Sequence, residues 1–143
     1  MKKYLLIAFL SFFALTNCSV NDNGDNPQIV RILWNLENVT GGIAGVNNNF
    51  SPNVVVWEFN LNTSVLIVTN TNTNTALEDG LDAGSYTFQI NRVGNYDYLS
   101  IANNEVGRIT ITETTFILDQ NEKSTGTTAD GYIYKFKKYV VTE

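Results

Sequence analysis

The sequence contains no histidine, and Cys18 is its only cysteine. These two scarcities remove most familiar chemistries. Without an imidazole, neither a Ser-His-Asp nor a Cys-His arrangement can activate a nucleophile. Zinc sites rest on Cys and His and are excluded as ordinary options for the same reason. No P-loop or dinucleotide fingerprint occurs, and the glycine-rich run at 41–45 precedes no helical pattern that would aim backbone N–H groups at a phosphate. A hydrolase working with carboxylates alone is the one catalytic design left open. The expectation is a protein that is not an enzyme and needs no cofactor.

Long hydrophobic runs are equally scarce. The single one spans residues 4–15, interrupted only by Ser11, and is too short for a permanent membrane span, which needs about 20 residues. Lys2 and Lys3 precede it and Thr16-Asn17 leads from it to Cys18, the three-part layout of an export signal. Leu15-Thr16-Asn17-Cys18 resembles the lipobox of bacterial lipoproteins, with Leu at −3, a small polar residue at −2 and Asn17 at −1. The resemblance implies cleavage before Cys18 and attachment of diacylglycerol to its sulfur, the alternative being a secretory signal with an unrelated cysteine nearby. A lone cysteine in an exported protein has no internal disulfide partner.

Residues 18–27 read as a flexible polar tether, since nothing apolar follows Val20. Asp22 and Asp25 within it are either plain spacer or an acidic export signal resembling that of surface-exposed lipoproteins of Bacteroidota. The chain thus divides into a signal peptide (1–17), a lipidated tether (18–27) and one domain (28–143). The expected location is the outer membrane, facing the periplasm or the cell surface.

Basic residues are few. Two of the nine, Lys2 and Lys3, precede the cut, so seven remain against all fourteen acids, a formal charge of −7 after processing. Nucleic acid and anionic membrane surfaces attract bases, so this balance argues against both as partners. The membrane contact expected is the lipid on Cys18, and no protein partner is identifiable from the residues.

Alternation of apolar and polar residues dominates the rest, with no helical stripe. Eight strands are expected, at 28–37, 53–60, 63–69, 85–91, 96–102, 106–112, 115–119 and 132–141. Their connections are long at 38–52, 70–84 and 120–131. They are tight around Leu61-Asn62, Gly94-Asn95, Asn103-Asn104 and Glu113-Thr114. In a meander, alternate connections share one end, which places all three long ones together. An all-β, eight-stranded antiparallel up-and-down barrel follows, because closure removes the exposed edges that eight sequential strands would leave.

The run Trp34-Asn35-Leu36-Glu37-Asn38-Val39-Thr40-Gly41-Gly42-Ile43-Ala44-Gly45 resembles the opening of the lipocalin-like lipoproteins of Bacteroidota. So do Asp79-Gly80-Leu81, Gly84-Ser85-Tyr86 and the ending Tyr132-Ile133-Tyr134-Lys135-Phe136. The resemblance implies a calycin-type barrel able to hold a small apolar molecule. It also implies a basic side chain from the last strand covering the first-strand tryptophan, a part that Lys138 would play for Trp34.

Trp57, Phe59, Tyr86, Phe88, Tyr132 and Tyr134 are the candidate ligand-facing residues, all in the inward phase of their strands. Buried tyrosines need a hydroxyl partner, so three of them suggest either a partly wet core or contact with water at the mouth. Ile43 and Phe50 make the first long loop apolar enough to serve as a lid. Glu78, Asp79 and Asp82 read as a solvated loop and not as a calcium site, and the Thr-Asn repeat at 69–75 reads as an extended or mobile loop.

Two functions compete: a carrier for a small hydrophobic or amphipathic ligand, admitted at the loop-rimmed end, and a protein-interaction module with a filled barrel, serving as an accessory subunit or inhibitor of an envelope assembly. The address can be tested independently of either. Cys18→Ser is expected to release the protein from membranes, while mass spectrometry of the unaltered chain finds an acylated N-terminus at Cys18. A free Cys18 thiol on a chain that ignores membranes would refute the lipid anchor.

Overall fold

In a computed structural model of the chain, residues 29–142 are described; the segments read from the sequence as signal peptide and tether, with Cys18, lie outside that range. The elements are β1 (Val30–Gly41), β2 (Val46–Asn49), β3 (Val55–Asn60), β4 (Val65–Asn70), β5 (Gly84–Val93) and β6 (Tyr96–Ile101). They continue with β7 (Asn104–Ile111), β8 (Thr115–Asp119), β9 (Glu122–Lys123), β10 (Gly126–Thr127) and β11 (Tyr132–Thr142). Among the described residues there is no helix.

Each of β1, β3 to β8 and β11 pairs antiparallel with its sequence neighbour, and β11 returns to β1, so the expected eight strands close into a barrel. The closing seam runs from Val30 opposite Thr142 to Gly41 opposite Tyr132. Its register slips once, between Leu36 and Asn38. This bulge turns Val39 inward three residues after Leu36, and both are buried. Beyond it β1 extends past its expected end and pairs with β2, so much of the first long connection is a hairpin. The sequence Val-Asn-Asn-Asn has poor strand propensity. It holds because the Asn38 side-chain amide donates to Asn47 Oδ1 at 2.8 Å and Asn49 Oδ1 at 2.9 Å. The short β9–β10 hairpin was likewise not expected from the sequence.

Inward-facing rows supply the core. Trp34, Trp57, Phe88, Phe116 and Phe136 are buried, with Phe59 packed against them. Ring centroids lie 4.8 Å apart for Trp57–Phe136, 5.1 Å for Phe116–Phe136 and 5.0 Å for Phe59–Phe88. Each such pair contributes about 0.5–1.5 kcal/mol beyond its burial. The rings fill the waist of the barrel, so the interior is not one continuous cavity.

The last long connection is tied to the wall through Glu105 on β7. Its carboxylate accepts the Ser124 hydroxyl at 2.6 Å and the Ser124 backbone N–H at 2.7 Å, while Lys123 Nζ donates to the Glu105 carbonyl at 2.7 Å. The Ser124 bonds, with the Lys123 charge nearby, hold the Glu105 carboxyl below its usual range. A depressed carboxyl stabilises the fold above its unfolded pKa, and that contribution is lost as pH falls through the folded value.

Two measurements follow. Phe136→Ala, which empties the centre of the ring cluster, should lower stability by about 3–5 kcal/mol in urea unfolding. Glu105→Gln should lower the urea midpoint at neutral pH, and the gap from the unaltered protein should narrow as pH drops below the ordinary carboxylate range of about 4.

Candidate functional site

The two ends of the barrel are built differently, in a sense opposite to the expectation from loop lengths. At the loop-rimmed end, the connection 71–83 folds into the mouth. Asn70, Asn72 and Asn74 each accept, through Oδ1, the backbone N–H two residues on, at 2.9, 3.0 and 3.1 Å. The Thr-Asn repeat is thereby a chain of Asx turns, in which alternate side chains hold the backbone in shape. Asn72 Nδ2 donates to Asp79 Oδ2 at 2.7 Å, and Asn70 Nδ2 to the Leu81 carbonyl at 3.1 Å. These bonds set Leu81 against the core cluster.

Tyr134 completes the plug. It is buried, and its hydroxyl donates to Glu78 Oε1 at 2.8 Å. Burial first, and then the Glu78 carboxylate, push the phenol well above its ordinary pKa. Gly80 passes over the ring at φ +91°, where a Cβ would stand 3.3 Å from Tyr134 Cε1. What remains beneath is a cavity of about 50 Å³ between Trp57, Leu81 and Tyr134. Trp57 Nε1 is buried there without a protein partner. A space of that size holds a water molecule and no larger ligand.

The tight-turn end is open. A socket of about 180 Å³ enters the barrel there. Its inner wall is Trp34, Phe59, Leu99, Ile109 and Phe116. Its rim is Ile32, Leu61, Ile90 and Ile111, all large apolar residues left exposed. The tight turns are too short to fold over the mouth, so these side chains have no loop to cover them. Charged groups stand just outside. Arg92 follows Phe88 and Ile90 on the inward face of β5 and holds Asp97 in a paired contact of 2.8 and 2.7 Å. That contact raises the Arg92 pKa and lowers that of Asp97. Lys138 follows Tyr134 and Phe136 on the inward face of β11.

The candidate residues therefore separate. Trp34 and Phe59 line the socket, whereas Trp57 and Tyr134 line the small cavity at the other end. Phe88 is buried in the waist between them. Tyr86 is half-buried and donates its hydroxyl to the Asp82 carbonyl at 2.9 Å; Tyr132 lies beside Tyr134 and against Gly42. All three tyrosines thus belong to the plugged end.

The candidate lid residues differ: Phe50 is partly buried against the core cluster, whereas Ile43 stands away from it. Ile43 is 88% exposed in the turn between β1 and β2. Phe50 lines an open groove of about 450 Å³ with Asn35, Lys135 and Tyr139, residues on the outward face of the wall. Trp34 stands opposite Lys138 across the closing seam. Its ring packs on Phe116 at 5.7 Å, and a cation–π contact is made elsewhere, by Arg108 over Tyr96 at 5.1 Å.

The socket residues missed from sequence are Ile32, Leu61, Ile90, Leu99, Ile109, Ile111 and Phe116. Their signal was present: apolar residues in the inward phase, close to turns too short to shield them. Set against known proteins, the chain matches no family model, no curated protein and no solved structure.

The plug has its own test. Tyr134→Phe keeps the ring and removes the donor to a charged group, which should cost about 1.5 kcal/mol in urea unfolding. Alkaline absorbance titration should show one tyrosine fewer resisting ionisation in that variant than in the unaltered barrel.

Proposed function

We propose that this chain is a membrane-tethered, lipocalin-like binding module that takes a small apolar group through the tight-turn end. The observation that carries the reading is the socket itself: apolar walls, an uncovered mouth and bases beside it. Its volume of about 180 Å³ decides the ligand size. An apolar cavity of about 150 Å³ accommodates benzene, while sites for drug-sized molecules span about 300–1,000 Å³. The socket accepts one ring or the first few carbons of a chain, and the rest of the ligand stays outside.

Affinity follows from that size. About five methylenes at about 0.8 kcal/mol each supply about 4 kcal/mol, which corresponds to millimolar binding. A carboxylate or phosphate on the ligand meets Lys138 at the mouth, where Asp97 already matches the Arg92 charge, favouring amphipathic anions over neutral hydrocarbons. The filled aromatic waist favours the competing interaction reading only at the other end, where the space inside the barrel is about 50 Å³.

Titration with hexanoate, octanoate and a short alkyl phosphate should shift tryptophan emission with millimolar midpoints. Trp34→Phe should abolish the shift. Ile111→Asn should weaken binding several-fold, and Phe50→Ser should leave it unchanged. No shift with any of these probes, or an equal loss with Phe50→Ser, would overturn the socket reading in favour of an interaction module.

A further inference from the structure

The exposed hydrophobic residues are not scattered over the barrel. Apart from Ile43 and Ile67, those among the described residues all lie in the half that carries the socket. Leu61, at the tip of the β3–β4 turn, is 74% exposed; Val30, Ile111 and Val140 are each more than half exposed. Exposed apolar residues concentrated at one end, with Ile32, Leu61, Ile90 and Ile111 around one mouth, mark an interaction site. Tyr96 stands at the same end, exposed, with Arg108 over its ring. An exposed tyrosine beside a base suits an interface that is apolar on one side and wet on the other.

Charge is segregated along the same axis. The plugged end carries Glu37, Glu78, Asp79, Asp82, Asp119 and Asp130, with Lys135 paired to Glu37. At the socket end, Glu58 is paired with Arg31 and Asp97 with Arg92, leaving Glu113 beside Lys137 and Lys138. Among the described residues the net negative charge therefore belongs to the far end. The socket end is neutral to weakly basic.

The tether joins at this end as well. β1 starts at Val30, opposite Thr142, on the rim of the socket. The stretch from Cys18 to Ile29 reaches at most about 40 Å when extended. β1, with 12 residues, runs about 40 Å along its strand, or about 30 Å along a barrel axis tilted by about 40°. A tether leaving the plugged end would use most of its reach passing the barrel. One leaving the rim brings the socket to whatever surface holds Cys18.

We propose that the socket end is a seat on the lipid bilayer: the apolar rim rests at the boundary of headgroups and acyl chains, and the end of a lipid chain fills the socket. This rests on the lipid-anchor reading and deepens it by fixing orientation. It also resolves the weakness of the socket, because millimolar affinity suffices where acyl chains are concentrated and the tether holds the barrel beside them. Lys137 and Lys138 meet anionic headgroups, and the acidic end points away.

The test uses the acylated full chain in phosphatidylcholine–phosphatidylglycerol vesicles, with a nitroxide label at Leu61→Cys or, as a control, at Ile43→Cys. Both sites are exposed, so neither label disturbs the core. At position 61 the label should be several-fold less accessible to an aqueous nickel chelate than at position 43, and more accessible to oxygen. The rim variant Ile32→Glu/Ile111→Glu should restore aqueous access at position 61 while the protein still floats with vesicles. Equal aqueous access at both sites of a floating protein overturns the seat and leaves the anchor standing. Failure to float, with Cys18 unacylated, overturns the anchor and the seat with it. A Cys18→Ser chain that dimerises, and is made monomeric by the rim variant, assigns the surface to a second copy and overturns the seat.

Discussion

The pairing of the first strand with the last is the constraint on which the other features of this barrel depend. β1 and β11 share the longest ladder in the molecule, from Val30–Thr142 to Gly41–Tyr132. Before that ladder forms, the other strands are a curved sheet with two open edges and one uncovered face. Once it forms, every inward residue faces another, and the aromatic rings meet across the axis. The bulge after Leu36 lets a single strand serve both the lower barrel and the β1–β2 hairpin above it, with Leu36 and Val39 both directed inward.

Closure with a filled waist leaves two unequal ends. Loop length alone places the open end of a barrel at its long connections, because long segments move more readily than tight turns. Here the long 71–83 connection is used as a stopper. Its backbone is organised by its own asparagines, and Glu78 and Leu81 carry it onto Tyr134 and Trp57. Tight turns satisfy their own backbone but have no side chains to spare for covering the interior. The apolar rows therefore run out into water at that end, and the socket is the result.

The same geometry alters the meaning of the charge. The formal charge, −5 for the whole sequence and −7 for residues 18–143, argues against an anionic partner when averaged over the chain. Fields act over about 10 Å at ordinary ionic strength, so a surface at one end responds chiefly to the residues nearest it. Acids gather around the plug and bases around the socket. The proposed seat on the bilayer and the proposed recognition of an amphipathic anion both draw on this separation.

Taken by itself, the sequence determined the fold class, the approximate place of the eight barrel strands and their up-and-down order, because alternation at period two and the turn residues between runs are local signals. The inward phase of Trp34, Trp57, Phe88 and Phe136 was legible for the same reason. Lipid attachment at Cys18 is a reading of the sequence alone, since the residue lies outside the described structure. The β1–β2 hairpin was not legible: its asparagines take strand conformation through a backbone ladder with β1 that Asn38 side-chain bonds reinforce. Nor was the function of the two ends. Whether a loop stands away from a mouth or folds into it depends on bonds such as Tyr134 to Glu78, between residues 56 apart in sequence, which no local pattern encodes. Tertiary structure alone decided that the short turns guard the opening, because only there do inward apolar residues meet no side chain across the axis and no segment long enough to cover them.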